Sequence, residues 1–444
     1  RLSYGVNGNV NGIGNYEVYG EYAQVDAKTY GGATALYNKK LLNTNLRWEQ
    51  SQTFEVGLDI GFLQNRLSFI LDFYSRRTKD LLTKQALPGY TGFSDIVTNM
   101  GTLRNSGFEA EVKANIINKG GFTWDMTANI TSVANKIISL PYNNVENNRV
   151  GGYEVAAGKV DADGKFPTKW IAGRQEGGKL GELVGYRQQH VFKDWDDVKQ
   201  HANLRVDEVA NLYGPGLADQ INPATGKTYK ESSGWQPIEP GDACWEDING
   251  DNIINGYDRS VMGNIFPNVT GGFSTTFGYK GLSLYARFDY ALGHTLYNDL
   301  KARSLGQYQG QFNIITDVKD MWSEANPNSD LTKFYYADQL AKKNITRSNN
   351  ASTAADNNSS RYYEKGDYLA LREITLSYQL PKSLISKAHL TEASVYVTGQ
   401  NLFYITGYDG VSPEPAVSTT YGRGIDNGRY PTPRTFLFGL SLTF

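Results

Sequence analysis

The chain is poor in the residues that build most catalytic and metal centres. It has one cysteine and four histidines among 444 residues. A lone thiol, Cys244, cannot form a disulfide within the chain, so no disulfide framework holds the fold. The histidines are scattered, which argues against a histidine-built metal centre or a nucleophile–histidine pair. No pair of carboxylates can be assigned to glycosidic cleavage, and the expectation is that the protein is not an enzyme. An excess of either charge is also missing. The formal net charge is −2 with both signs interspersed, which leaves no basic patch for nucleic acid or for anionic lipid headgroups. No run approaches the roughly 18 apolar residues of a transmembrane helix, and mean hydropathy is −0.48, so a helical membrane protein is excluded. A leader is lacking too: Leu2, Tyr4 and Val6 alternate from the first residues as if a strand were under way. The numbering is therefore expected to start inside a longer protein.

What the sequence does have is alternation. In 434–444, Phe436, Phe438, Leu440, Leu442 and Phe444 share one face, with Leu437, Gly439, Ser441 and Thr443 on the other. That period of two marks a strand with one apolar side, of about the length a tilted strand needs to cross a bilayer, and its ending on the aromatic Phe444 resembles the closing strand of bacterial outer-membrane β-barrels. A strand of a soluble β-sandwich also alternates, so other segments must decide. Aromatics make up 13% of the chain, with 30 Tyr, which suits barrel girdles and sugar-binding surfaces alike.

The other segments repeat the pattern. Phe54, Val56, Leu58, Ile60 and Phe62 alternate with Glu55, Gly57, Asp59 and Gly61; after Leu63-Gln64-Asn65-Arg66, Leu67, Phe69, Leu71 and Phe73 alternate again. A second hairpin turns at Asn118-Lys119-Gly120-Gly121 and a third at Lys280-Gly281. Further strands are expected near 369–379, with a phase shift at Arg372 that suggests a bulge, near 395–400, and at 169–175 and 181–191, about twelve in all. Acidic residues on the second face need water, so that face should line a wet lumen while the apolar face meets membrane lipid. Short turns alternate with long connections, the habit of barrels with short periplasmic turns and long extracellular loops. An even strand count returns both chain ends to the periplasmic side. Residues 7–46 and 78–100 read as long connections, and 141–165, 192–266, 292–365 and 405–433 as extracellular loops of a single unit, 1–444. Trp195, Trp235, Tyr308 and Trp322 lie in these loops and could stack on sugars, but loop packing or partner contact accounts for them as well.

One loop carries a site-like motif. Asp247-Ile248-Asn249-Gly250-Asp251-Asn252-Ile253-Ile254-Asn255-Gly256-Tyr257-Asp258 puts oxygen-bearing side chains at positions 1, 3, 5, 9 and 12 of a calcium-type loop. Ca²⁺ wants roughly six to eight oxygens. Asp247, Asn249, Asp251 and Asp258 could supply side chains, Ile253 its carbonyl, and Asn255 a direct or water-bridged ligand. Asn252 stands where Gly is usual, and Asp258 is shorter than the usual Glu. An Asx-turn loop shaped by its own hydrogen bonds, without metal, is the alternative.

These residues also carry a family resemblance. Gly101-Thr102-Leu103-Arg104-Asn105-Ser106-Gly107-Phe108-Glu109, Pro240-Gly241-Asp242 with Trp245-Glu246-Asp247 through Asp258-Arg259, and Asn264-Ile265-Phe266-Pro267 come in order. Tyr368-Leu369-Ala370-Leu371-Arg372-Glu373-Ile374-Thr375-Leu376-Ser377-Tyr378, Gly399-Gln400-Asn401-Leu402-Phe403 and the terminal Phe444 follow. Together they resemble the C-terminal half of SusC-like TonB-dependent transporters of Bacteroidetes. The resemblance implies a barrel of about 22 strands closed by an N-terminal plug, capped by a SusD-like lipoprotein and energised through a TonB box by TonB–ExbB–ExbD. It implies import of oligosaccharides, or of peptides, across the bacterial outer membrane. The plug, the TonB box and the earlier strands are not in this sequence. A complete twelve-stranded passive pore and a surface carbohydrate-binding β-protein are the alternatives from other classes.

Overall fold

A computed structural model describes residues 1–444 except 12–16, 31–32, 207–211, 214–217, 224, 232–235, 308–312, 314, 335–358, 415–416, 419–421 and 429. Its frame is a ten-stranded antiparallel sheet in which each strand pairs with the next along the chain. The strands are β1 (Leu2–Asn9), β2 (Glu49–Phe62), β3 (Leu67–Lys79), β4 (Thr102–Lys119), β5 (Phe122–Ser139), β6 (Val269–Tyr279), β7 (Leu282–Leu292), β8 (Tyr368–Gln379), β9 (Glu392–Thr406) and β10 (Thr435–Thr443). Among the described residues β1 and β10 are the two edges and do not pair with each other.

Register turns the local alternation into two continuous faces. The row Trp124–Phe277–Leu284–Leu376–Val397–Phe438 runs across six strands, β5 to β10, and Leu58–Leu71–Ala110–Ile130 crosses β2 to β5. Rings stack along these rows, Trp124 on Phe277 at 5.5 Å and Phe273 on Phe288 at 4.6 Å, which adds to the cross-strand pairing. On the opposite face lie Asp59, Glu109, Glu111, Asn129 and Asp289. The apolar face is bare: Phe438 is 82% exposed and Phe436 63%. A sandwich would bury such a face against a second sheet. Here none of the buried hydrophobic clusters draws on it, so its cover must be apolar solvent, as for a barrel wall in lipid.

Tight turns set one end of the sheet. Gly120 and Gly121 (φ +66° and +82°) and Lys280 and Gly281 (φ +48° and +87°) hold the two left-handed positions that a two-residue hairpin turn of matching twist demands. The connections 63–66 and 380–391 lie at the same end, whereas 10–48, 80–101, 140–268, 293–367 and 407–434 lie at the other. The alternation of short and long connections is as expected.

The strand count differs. The expected strands at 169–175 and 181–191 exist but stay out of the sheet: Thr168–Ile171 pairs with Tyr153–Ala156, Glu182–Tyr186 with Arg259–Asn264, and Gln188–Val191 with Ala243–Trp245. Glu182–Tyr186 and Ala243–Trp245 are largely buried on both faces, which suits a packed unit and not a wall wetted on one side. Segment 7–46 likewise contains a hairpin, Glu21–Tyr30 with Ala33–Lys40, and 78–100 another, Leu82–Ala86 with Asp95–Asn99. The bulge is found where the phase shift placed it: pairing on both sides of β8 skips Arg372.

Candidate functional site

Connection 140–268 is a folded unit with its own core. Tyr186, Phe192, Val198, Leu204, Val206, Ile238, Cys244, Trp245 and Ile254 pack together, almost all out of contact with solvent. The unit is tied to the end of β5, where the Leu180 amide donates to Asn135 Oδ1 at 2.7 Å and the Ile137 amide to the Gly178 carbonyl at 3.0 Å. Burial pushes the Cys244 thiol up to about 12, so it is an inert packing group and not a nucleophile.

The 247–258 loop closes on this core. Asp247 accepts from the amides of Gly250 (2.6 Å) and Asn252 (2.8 Å), and Asp251 from that of Ile253 (2.7 Å) and from Asn249 Nδ2 (2.9 Å). Asn255 Oδ1 accepts from the Tyr257 amide at 2.8 Å. Asp258 receives the amides of Ile248 and Asn255, both at 2.9 Å. Asn252 takes the left-handed conformation (φ +64°) that its side chain tolerates, so the missing Gly at that position is no obstacle. Each oxygen of the three carboxylates thus already accepts a protein hydrogen bond, the arrangement of an Asx-turn loop. No group of three or more His, Cys, Asp or Glu side chains is gathered to hold a metal among the described residues. Asn249 and Asp258 are fully buried. Burial raises the Asp258 carboxyl to about 7, the two amide donors oppose that, and the nearby Asp247 and Asp251 charges add to it. The loop is bound to its surroundings by the Val160 amide on the Asn249 carbonyl (2.7 Å) and the Arg205 amide on the Asn252 carbonyl (2.9 Å). Ile254 anchors it as a fully buried side chain.

Of the four loop aromatics, Trp235 and Tyr308 lie outside the described residues. Trp195 is half exposed at the start of a short helix, Trp195–Gln200. Trp322 donates its indole N–H to the Lys193 carbonyl at 3.2 Å and so packs one connection against another.

A second constellation, at the long-connection end of the polar face, was legible only as the phase shift. The bulged Arg372 contacts Asp289 on β7 (2.9 Å), Glu414 in connection 407–434 (2.5 Å) and the Tyr404 hydroxyl (3.2 Å).

A sheet with one apolar and one polar face, a loop unit at one end and, among the described residues, no assembled reactive group leaves a transporter wall as the reading to compare. Residues 1–228 match the family model described as TonB dependent receptor-like, beta-barrel. The chain belongs to the TonB-dependent receptor β-barrel family. It is 28% identical over its whole length to TonB-dependent receptor P3 of Formosa agariphila, covering 39% of that protein. It is also 28% identical to TonB-dependent receptor SusC of Bacteroides thetaiotaomicron, covering 37%. In fold it is similar to the RagAB peptide transporter, with a TM-score of 0.68, 22% identity, all of this chain and 40% of that one. The chain thus spans about two-fifths of the length of the relatives it matches. Family membership places it in the bacterial outer membrane, and the family is one of transporters and not of enzymes.

Proposed function

We propose that this chain forms part of the wall of an energised importer that takes oligosaccharides or peptides across the outer membrane. The observation that carries the reading is the ten-stranded meander with one bare apolar face and one polar face, similar to SusC over its full length. The remaining wall, to about 22 strands in all, and a plug that TonB–ExbB–ExbD acts upon belong to the complete protein. The end of the sheet with the long connections faces outward, so the units within 192–266 and 292–365 meet a SusD-like lipoprotein and incoming substrate. The calcium-type loop gives its unit a fixed shape at that surface, and Ca²⁺ is its proposed cation, set against Asp247, Asn249, Asp251, the Ile253 carbonyl, Asn255 and Asp258. The burial of the Asp258 carboxyl, and secondarily the Asp247 and Asp251 charges beside it, is what such a cation would offset.

A passive pore is disfavoured by the same family membership, and a surface binding protein by the bare apolar face. Uptake of labelled oligosaccharides and peptides by cells carrying the complete protein tests the reading. Import that stops when the proton gradient is dissipated or TonB is deleted is expected, with a SusD-like lipoprotein co-purifying from detergent extracts. Uptake indifferent to both treatments would refute an energised mechanism.

A further inference from the structure

The Arg372 constellation holds one more carboxylate than its charge requires. The guanidinium is only 15% exposed, so its charge needs a partner, and Asp289 on the adjacent strand supplies one at 2.9 Å through Nε. Glu414 adds a second at 2.5 Å through a terminal nitrogen and accepts from the Tyr404 hydroxyl at 2.8 Å. Tyr368 and Tyr404 flank the guanidinium at 6.0 and 5.6 Å and meet edge-on at 5.8 Å. Every wall residue here faces the polar side of the sheet, since Asp289 pairs with Ala370, Ala370 with Tyr404, and Tyr368 with Ala291.

Glu414 comes from another element. It sits on connection 407–434, which has other anchors: His294 Nε2 donates to the Pro413 carbonyl at 2.9 Å, and the Asp409 amide to Glu364 in connection 293–367 at 2.9 Å. Removing the Glu414 carboxylate therefore leaves no buried charge unpaired and leaves the strap tied down. It opens a guanidinium N–H and a tyrosine O–H that converge on one carboxylate position between two aromatic rings. A cavity of about 640 Å³ reaches Tyr404 and is lined also by Val411, Pro413 and Tyr430 among others.

We infer that Arg372 and Tyr404 form a carboxylate-binding seat in the inner wall, occupied by Glu414 as an internal stand-in that a substrate carboxylate displaces. The inference deepens the import reading and rests on it for the route by which substrate arrives. The shared chemistry is a carboxylate, which a peptide or a uronic-acid glycan could bring.

The test is equilibrium binding to the complete protein in detergent, so that its result stands apart from any transport assay. The probes are a short acidic peptide and a uronic-acid oligosaccharide, each against an amidated or neutral counterpart. Glu414→Ala is expected to bind the carboxylated probe about tenfold tighter than wild type, because the internal competitor no longer lowers the competent fraction. Glu414→Gln shifts the same way by less, and Tyr404→Phe in the Glu414→Ala background removes most of the gain. A gain for the peptide alone or the uronate alone identifies the source. Equal affinity of wild type and both Glu414 variants for every probe would overturn the seat and leave Glu414 a strap anchor, whether or not proteolysis of 407–434 changes.

Discussion

Asp258 makes the unit within 140–268 sensitive to pH in a direction opposite to the usual surface carboxylate. Its carboxyl is fully buried and raised from 3.8 to about 7, so between those values the folded loop keeps a proton that the opened loop gives up. The opened state then binds fewer protons, and loop stability falls as pH rises from about 4 to about 7 and is level above that. At roughly 1.4 kcal/mol per unit the full difference is on the order of 4 kcal/mol, of which about 2.5 kcal/mol falls between pH 5 and pH 8. Cys244, in the core that the loop closes, reports opening. Its labelling rate, divided by that of the denatured protein at the same pH, should rise about a hundredfold from pH 5 to pH 8, the ratio that about 2.5 kcal/mol represents. Asp258→Asn should flatten that slope while lowering protection at pH 5, because an amide cannot accept from both the Ile248 and the Asn255 amides. Calcium enters at pH 8: if the loop binds it, millimolar Ca²⁺ restores protection there and does little at pH 5, where the site is protonated. A pH-independent labelling ratio would refute the reasoning about Asp258. A sloping ratio indifferent to Ca²⁺ would leave the loop a hydrogen-bonded turn without metal.

Two further outcomes are expected. Ala286 lies on the apolar face between Thr275 and Ile374, so Ala286→Lys should cost roughly 2–4 kcal/mol in refolding into lipid vesicles, whereas Ser283→Lys on the polar face should cost far less; equal costs would reverse the assignment of faces. Ile254 is wholly buried in the loop core, and Ile254→Ala should cost about 2–5 kcal/mol. That loss should appear as faster Cys244 labelling with the barrel strands unaffected, and melting of both together would show that the unit has no stability of its own.

The sheet was legible because its information is local. A strand wetted by lipid on one side and water on the other must alternate with period two, and Phe54 to Phe62 or Leu282 to Phe288 show it within one strand. Matching those faces then fixed the register, and Gly120-Gly121 and Lys280-Gly281 fixed the turns. Even the bulge at Arg372 was visible as a break in phase. The Asx chemistry of 247–258 was legible too, since the hydrogen bonds that Asp247 and Asp251 accept, and the one that Asp258 accepts from Asn255, come from groups within a few residues, whereas the bond from the Ile248 amide to Asp258 spans the loop.

The tertiary structure decided what depends on distant partners. Period two marks 169–175 and 181–191 as strands but cannot say that Glu182–Tyr186 pairs with Arg259–Asn264 and not with the wall. The burial of Cys244, Trp245 and Ile254 against Tyr186 and Phe192 in one core, and the meeting of Arg372 with Glu414, bring together residues far apart in the chain. Alternation records which face of a strand is wet, but no pattern within a strand records what covers a loop. Contacts across many residues are set by the packing of the chain as a whole.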